Sequence, residues 1–227
     1  MYVHPAFKVH PSASLAFAGA RGFGLVIACD SGRPVASPLP FRLIEQDGKM
    51  PKLEFHVARV NPLGAMAEKG GTWLVSVTGH DAYVSPDWYA SPEQVPTWLY
   101  ETVQLSGPVR VIPGEHTQQH SEALSAKFES WLAPKPPWLS SKVTAGRLEA
   151  LKKAIVGLVM TVEQVEGSFK LNQHKSDVDH LAIASALTQQ RDAAAQAIGD
   201  QMVALRPQLD YISPLNVSMP ADGRNTP

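Results

Sequence analysis

The stretch "KLEFHVARV", residues 52–60, has the apolar and aromatic content of a β-strand, and the polar residues His56, Arg59 and Asn61 stand at its end. Two similar runs precede it, "FGLVIACD" (23–30) and "VASPLPFRL" (35–43), and the turn-forming clusters "DSGRP" and "EQDGKMP" separate the three. Two more runs follow, "TWLVSVTG" (72–79) and "TVQLSGPVRVI" (102–112). Short strands at this spacing are typical of hairpins and meanders, so the sequence predicts an antiparallel sheet.

The predicted helices come late in the chain and do not alternate with the strands. A short helix is indicated by "PLGAMAEKGG" (62–71), which begins with proline and ends with two glycines. An amphipathic pattern predicts a helix over 116–132, and a second over 144–153 precedes a β run at 154–165. Residues 176–206 are alanine-rich and favour helix. This order favours an α+β domain built on an antiparallel barrel.

We predict three parts of the chain from these patterns. Residues 1–175 form the barrel domain, including inserted helices at about 116–153, and residues 176–207 form a C-terminal helical extension. Residues 208–227 are expected to be a flexible tail, because "SPLNVSMPADGRNTP" is rich in proline, glycine and asparagine.

Composition narrows the class of protein. The net charge of -1 provides no positive field for a nucleic-acid backbone, and the late helices offer few basic residues for a DNA groove. Charged residues make up 18% of the chain, below the roughly 25% of average proteins, which suggests that an oligomer covers part of the surface.

We expect a cytosolic protein, because the one candidate targeting segment does not qualify and the chain has a single cysteine. The apolar run 14–29 resembles a signal peptide, but Arg21 interrupts it and it is too short to span a bilayer. The single cysteine, Cys29, is consistent with a reducing compartment, and its apolar strand predicts that it is buried.

Two polar clusters contain residue types that can bind a metal. His116 and His120 stand four residues apart, but "HTQQH" lacks the glutamate of a zincin helix and continues an apolar stripe, which favours packing histidines. The second cluster comprises His174, Asp177, Asp179 and His180. Its two aspartates lie at an expected helix start, where carboxylates suit the helix dipole. Neither cluster therefore requires a metal.

The segment "YVSPDWYASPEQVPTWLY" (83–100) holds half of the tryptophans and tyrosines of the chain, together with three prolines. A stiff segment rich in rings predicts a wall for a planar ligand or a partner surface. The alternative is that the rings only pack a barrel end or a dimer interface.

Cationic and amide side chains occur in two other places. Arg59 and Asn61 follow a strand, and Lys170 and Gln173 lie in "GSFKLNQHK" (167–175). Such donors combined with aromatic walls are what a phosphate-bearing aromatic cofactor needs. The alternatives are a surface ion pair for Arg59 and a solvated strand-end lysine for Lys170.

Five motifs in order, "MYVHPAF", "HVARVNP", "HDAYVSPDWY", "VPTWLY" and "VEGSFKLNQHK", resemble the PaiB-type FMN-binding negative transcriptional regulators. The resemblance runs from residue 1 to about 187. It implies a split β-barrel related to the pyridoxamine-phosphate-oxidase-like flavoproteins, with FMN as cofactor. It also implies a homodimer with flavin sites at the interface, which uses flavin for redox chemistry or sensing and acts as a negative regulator. The alternative is a regulatory or interaction protein whose barrel is only structural.

The resemblance also implies a set of flavin-binding positions. Arg59 and Asn61 take a phosphate role in it, whereas His56 and Ala58 lie along the flavin. The further implied residues are Tyr83, Ser85, Trp88, Tyr89, Thr97, Trp98, Lys170 and Gln173. The chain departs from the family at Leu99, where asparagine is common, and at Pro38, where histidine is common, so we expect weaker hydrogen bonding to flavin at these two positions.

Overall fold

The computed structural model describes residues 1–211, except the side chain of Glu115. The predicted flexible tail, 208–227, lies outside the described residues from position 212 onward. None of the helices in the described part of the chain is long and apolar enough to cross a membrane.

The strands and helices of residues 1–211 are named in chain order. The strands are Lys8–Val9 (β1), Phe23–Asp30 (β2), Arg33–Ile44 (β3), Lys52–Ala58 (β4), Thr72–Val84 (β5), Thr97–Val111 (β6), Ile155–Thr161 (β7) and Gln164–Lys170 (β8). The α-helices are Pro11–Arg21 (α1), Pro62–Lys69 (α2), Gly114–Ser130 (α3), Ala145–Lys153 (α4), Asp177–Thr188 (α5) and Ala193–Leu205 (α6). Three short 3-10 turns occupy Pro5–Phe7, Pro86–Trp88 and Ser140–Lys142.

The strands form one sheet in the order β1-β8-β6-β5-β2-β3-β4-β7. A further pairing of β7 with the end of β6 closes six of these strands into a ring. The strand pairs β2–β3, β3–β4 and β4–β7 are antiparallel. A tight turn at Ser31 and Gly32, which both have positive φ, joins β2 to β3. The predicted antiparallel barrel is therefore confirmed.

The chain divides into two compact units. The first comprises residues 1–4, 8–79 and 102–168, and the second comprises residues 5–7, 80–101 and, among the described residues, 169–211. Residues 80–101, which the sequence placed in the barrel domain, thus cluster with the C-terminal helices.

The first unit contains the barrel and its apolar interior. Alternate residues of β4, namely Leu53, Phe55 and Val57, are almost completely buried. The intervening residues face α3, which packs against β3, β4 and β7. Close approach of the strands requires Gly107 on β6, because a Cβ there would lie 1.8 Å from the backbone oxygen of Thr161.

The second unit has its own hydrophobic core around α5 and α6. Its buried residues are Ala82, Val84, Tyr89, Leu99, Leu171, Ile183, Ala184, Leu187, Ala195, Ile198 and Met202. The two helices approach closely at Gly199, where a Cβ would lie 2.8 Å from Thr188 Cγ2.

Several sequence predictions need correction. The apolar run 14–29 begins inside α1, a helix that was missed although Pro11 opens it and Gly22 ends it in the left-handed conformation. The predicted β run 154–165 covers β7 and the first two residues of a second strand, β8. Cys29 is exposed, not buried, because β2 alternates and turns its neighbour Ala28 inward.

Candidate functional site

Strand β4 ends at Ala58 and brings Arg59 to the junction of α4 and β7. The backbone N–H of Arg59 donates to the Ala154 carbonyl at 2.8 Å, Nε donates to the Lys153 carbonyl at 2.8 Å, and Nη2 donates to the Ile155 carbonyl at 3.0 Å. The partners of this exposed guanidinium are carbonyl oxygens, which hold it in one orientation. Within residues 1–211, Nη1 makes no hydrogen bond, so it remains available to an anion.

Asn61 forms the N-cap of α2. Its Oδ1 accepts from the Leu63 N–H at 3.0 Å, and its Nδ2 donates to Ser37 Oγ on β3 at 3.1 Å. The backbone N–H of Asn61 donates to the Ala58 carbonyl at 2.8 Å, so the turn after β4 is closed on itself. Both ends of the Asn61 amide group thus serve the local fold.

A chain of four polar side chains crosses the face of β4 that packs on α3. Arg42 on β3 donates Nη2 to Glu54 Oε2 at 2.7 Å. The same oxygen lies 3.5 Å from Nδ1 of His120 on α3. His120 Nε2 is 3.2 Å from His56 Nδ1, and the two rings meet edge to face at 5.4 Å between centroids. The predicted site residue His56 therefore has a buried histidine as its partner.

Both histidines are expected to be neutral near pH 7. Burial lowers the pKa of His56 below its usual value. Burial also lowers the pKa of His120, His56 lowers it further, and Glu54 acts in the opposite direction. His120 is only 3% exposed, in accordance with the predicted packing role. Within residues 1–211, no three His, Cys, Asp or Glu side chains are arranged to hold a metal ion.

A cavity of about 730 Å³, here called the large cavity, lies among α3, residues 137–141 and α4. Its apolar walls are Leu124, Trp138, Leu139, Leu148, Leu151 and Ile155. Polar groups on it include His56, Gln118, Ser121, Ser140, Ser141 and Lys152. The volume is in the range of small-molecule sites, and apolar walls with a few polar groups suit a flat ring system.

A second cavity of about 420 Å³, the small cavity, is lined by Arg42, Lys52, Glu54, His116 and His120, among others. Among the residues that the structure describes, Arg42 Nε and His120 Nδ1 are buried there without a hydrogen-bond partner. His120 lines the small cavity and His56 lines the large one, so the histidine pair connects the two.

Four predicted residues of the second unit form two contacts. Tyr83 and Trp98 meet edge to face at 5.9 Å and are 46% and 54% exposed. Lys170 Nζ donates to Thr97 Oγ1 and lies 5.8 Å from the Phe7 ring centroid. Burial lowers the pKa of Lys170, and the nearby charge of Lys175 lowers it further.

The remaining predicted residues of this unit have local partners. Ser85 Oγ accepts from the Asp87 N–H at 3.3 Å, and Trp88 packs against the core of the unit. The hydroxyl oxygen of Tyr89, a residue 9% exposed, accepts from Asn172 Nδ2 at 3.4 Å. Gln173 caps its own turn by accepting from the Leu171 N–H at 2.7 Å. Leu99 is fully buried, so this departure from the family lies in the core.

The twelve predicted residues fall into two sets. His56, Ala58, Arg59 and Asn61 are close together in the first unit, and the other eight belong to the second unit. Four residues of the site were not predicted from the sequence, namely Glu54, Arg42, Trp138 and Lys152. The alternation of β4 could have found Glu54, since it shares a face with His56.

Comparison with known proteins identifies the family. The family model described as "Putative FMN-binding domain" matches residues 1–164. The "Protease synthase and sporulation protein PAI 2" of Bacillus subtilis (strain 168) is 28% identical over 203 residues, which cover 89% of this chain and 96% of the relative.

Two solved structures share the fold. The FAD and heme binding protein from Mycobacterium smegmatis superimposes with a TM-score of 0.51 at 18% identity, over 96% of this chain and 92% of that chain. The flavocytochrome Anf3 from Azotobacter vinelandii superimposes with a TM-score of 0.50 at 14% identity, over 84% and 75% of the two chains. With its α+β split barrel and its match to the family model, the chain belongs to the PaiB-type FMN-binding family, and its cofactor is FMN.

Proposed function

We propose that the chain binds FMN in the large cavity of the first unit and uses it for redox chemistry or sensing. The size and lining of the cavity support this proposal. Its volume is about 730 Å³, Trp138 forms part of its wall, and hydroxyl and amide groups are scattered over it. These features fit an aromatic ring that bears a polar chain. Flavin supplies hydride and electron chemistry when bound, so the protein needs to bind it, orient it and keep water away.

Arg59 and Lys152 are the proposed phosphate ligands. Arg59 donates to the carbonyl of Ile155, a residue that lines the large cavity, although Arg59 itself is not part of the lining. A phosphate that extends from the cavity past Ile155 would meet the free Nη1. A guanidinium held in advance loses little freedom when it binds a phosphate. Lys152 lines the cavity and pairs with Glu149 at 2.7 Å. The predicted phosphate role of Asn61 becomes a supporting one, because its cap and its bond to Ser37 fix the turn after Arg59.

For the second unit we propose a role in a homodimer, with Tyr83 and Trp98 in the seam between two copies. Support comes from their exposure and from the low charged fraction of the chain. Other predicted residues of this unit would hold the aromatic segment in place, namely Ser85, Trp88, Tyr89, Thr97, Lys170 and Gln173.

Titration with FMN and with riboflavin, which lacks the phosphate, tests the proposed site. We expect Arg59→Ala to weaken FMN binding about tenfold and to change riboflavin binding little, because a charge-assisted phosphate contact is lost. Arg33→Ala, at another exposed arginine, serves as the control. An equal loss for both ligands would refute the phosphate role.

A second pair of variants tests the cavity. Ala126 lines it, so Ala126→Trp should weaken FMN and riboflavin alike, whereas Ala150→Trp on the exposed surface of α4 should not. If Ala126→Trp leaves both affinities unchanged, the ring binds elsewhere.

The alternative is a regulatory or interaction protein that does not use flavin. It predicts that purified wild-type protein takes up no FMN and binds a promoter fragment tightly. The net charge of -1 gives no general attraction to DNA, so we do not propose direct DNA binding.

A further inference from the structure

The hydrogen bond between His56 and His120 leaves a choice of tautomer. His56 Nδ1 and His120 Nε2 are 3.2 Å apart, so only one of these two nitrogens carries the shared proton when both rings are neutral. If His120 donates, its own Nδ1 has only a lone pair and His56 carries a proton on Nε2. If His56 donates, His120 carries its proton on Nδ1 and His56 Nε2 is unprotonated.

Glu54 decides between the two arrangements. Its Oε2 lies 3.5 Å from His120 Nδ1, and Arg42 holds that oxygen through a bond of 2.7 Å. A carboxylate oxygen repels a lone pair at this distance and attracts an N–H, so the proton of His120 belongs on Nδ1. His120 Nε2 must then accept, and His56 Nδ1 must donate.

We propose that Glu54 and His120 are positioning residues that hold His56 in the Nδ1–H tautomer, so that His56 presents its unprotonated Nε2 as a hydrogen-bond acceptor to the large cavity. This rests on the proposed function in one respect, the identity of the ligand as FMN. The ligand class selected at this position is one that presents an N–H or O–H group. Flavins carry both, in the imide of the ring and in the hydroxyls of the ribityl chain.

The acceptor exists only while His56 is neutral. Burial disfavours a charge on either histidine, and a protonated His56 would have two N–H groups and no acceptor. The other charged and titratable groups that line the two cavities joined by the pair are Arg42 on β3, Lys52 and Glu54 on β4, His116 and Glu122 on α3, and Lys152 on α4. FMN affinity should therefore fall on acidification once His56 is protonated.

The first test requires no ligand. NMR of the full protein labelled with 15N in its histidine rings reports which ring nitrogen carries a proton. We expect wild-type His56 to be protonated at Nδ1 and bare at Nε2, and Glu54→Gln to raise the Nε2–H population. The matched control is Glu122→Gln, which removes the same charge from the large cavity but not from the histidine chain, and it should leave the tautomer unchanged. A proton on Nε2 of wild-type His56, or no change in Glu54→Gln, overturns the proposal.

A second pair of variants covers the case in which Glu54→Gln fails to fold. His120→Leu removes the acceptor of His56 Nδ1–H, so His56 should gain an Nε2–H form. His120→Gln retains an amide oxygen and should restore part of the wild-type signal. If the bare Nε2 persists in His120→Leu, His120 does not position His56.

The second test uses FMN. Glu54→Gln should weaken FMN binding about threefold to tenfold, the usual range for one lost hydrogen bond. The control for binding is Glu68→Gln, at an exposed position of α2 that lines neither cavity, and it should weaken FMN less than twofold. Lumiflavin, which has a methyl group in place of the ribityl chain, identifies the donor. If Glu54→Gln weakens lumiflavin binding as much as FMN binding, the donor is the ring imide. If Glu54→Gln does not weaken lumiflavin binding, the donor is a ribityl hydroxyl. If wild-type protein binds no FMN, the proposed function fails while NMR still decides the tautomer. If FMN binds wild type and Glu54→Gln equally, the acceptor role is refuted.

Discussion

Replacing Asp179 should destabilise the second unit more than an ordinary surface change. Asp179 is 4% exposed and accepts from the Ser91 N–H at 2.9 Å, from Ser91 Oγ at 2.8 Å and from Ser176 Oγ at 3.0 Å. Hydrogen bonds to a charged group contribute about 1.5–3 kcal/mol. Asparagine keeps one acceptor oxygen, so we expect Asp179→Asn to lower the free energy of unfolding by about 2 kcal/mol. Asp179→Ala, which leaves the Ser91 N–H unpaired, should cost about 3–4 kcal/mol.

The same contacts predict a pH dependence. Burial alone would raise the pKa of Asp179, but the hydrogen bonds from Ser91 and Ser176 together hold it below the usual value. A depressed pKa in the folded state stabilises the protein above the unfolded pKa of about 3.9, and this contribution is lost as the pH falls below that value.

Urea unfolding at pH 7 and at pH 3, followed by tryptophan fluorescence, measures both effects. The difference between wild type and Asp179→Asn should shrink at the lower pH. In a double-mutant cycle with Ser91→Ala, the losses should be less than additive. A loss below about 0.5 kcal/mol for Asp179→Asn at pH 7, within the range of ordinary surface substitutions, would refute this reasoning.

Three further predictions concern the first unit and the buried histidines. Gly107→Ala should cost about 3 kcal/mol or more in thermal or urea unfolding, since its Cβ would overlap a backbone oxygen, and a normal melt would contradict the packing described. Arg59→Ala should lower the free energy of unfolding by about 1–2 kcal/mol through two lost carbonyl bonds, whereas Arg33→Ala should change it by less than about 0.5 kcal/mol. The free energy of unfolding should fall as the pH drops below about 6.5, because histidines of the unfolded chain bind protons that the buried histidines of the folded chain do not. Replacing one buried histidine by glutamine should therefore flatten the dependence of stability on pH, measured between pH 7 and 5. Burial lowers the pKa of three such rings, His56, His120 and His180.

Local pattern predicted the barrel strands well. The run 23–30 is β2 at the predicted bounds, and the predicted strand 52–60 is β4, ending two residues earlier at Ala58. These segments follow from residue type and turn signals alone. The helix α1 was missed because only Arg21 and Gly22 separate its alanine-rich stretch from the apolar residues of β2, so the composition resembled one apolar run.

Contacts between residues far apart in the sequence could not be predicted at the candidate site. The importance of Arg59 could be anticipated, but its carbonyl partners come from residues 153 and 155, almost a hundred positions later. His120 was interpreted as a packing residue because nothing in "HTQQH" indicates that it meets His56 across 64 positions. The aromatic segment 83–100 was interpreted as one rigid loop, whereas Tyr83 lies on β5 and Trp98 on β6. Long-range pairing of strands decides these contacts, and one sequence does not reveal that pairing.

Closure of the ring by β6 and β7 also bears on how copies of this chain associate. Each ring strand already has neighbours on both sides for part of its length, so its backbone groups offer little template for a foreign strand. Beyond the ring, the sheet ends in β1 (Lys8–Val9), which begins with a charged side chain and pairs with β8 only at Ser168 and Gly167. A short edge strand with a charged side chain disfavours strand pairing between copies of the chain. We therefore expect copies to associate through side-chain surfaces.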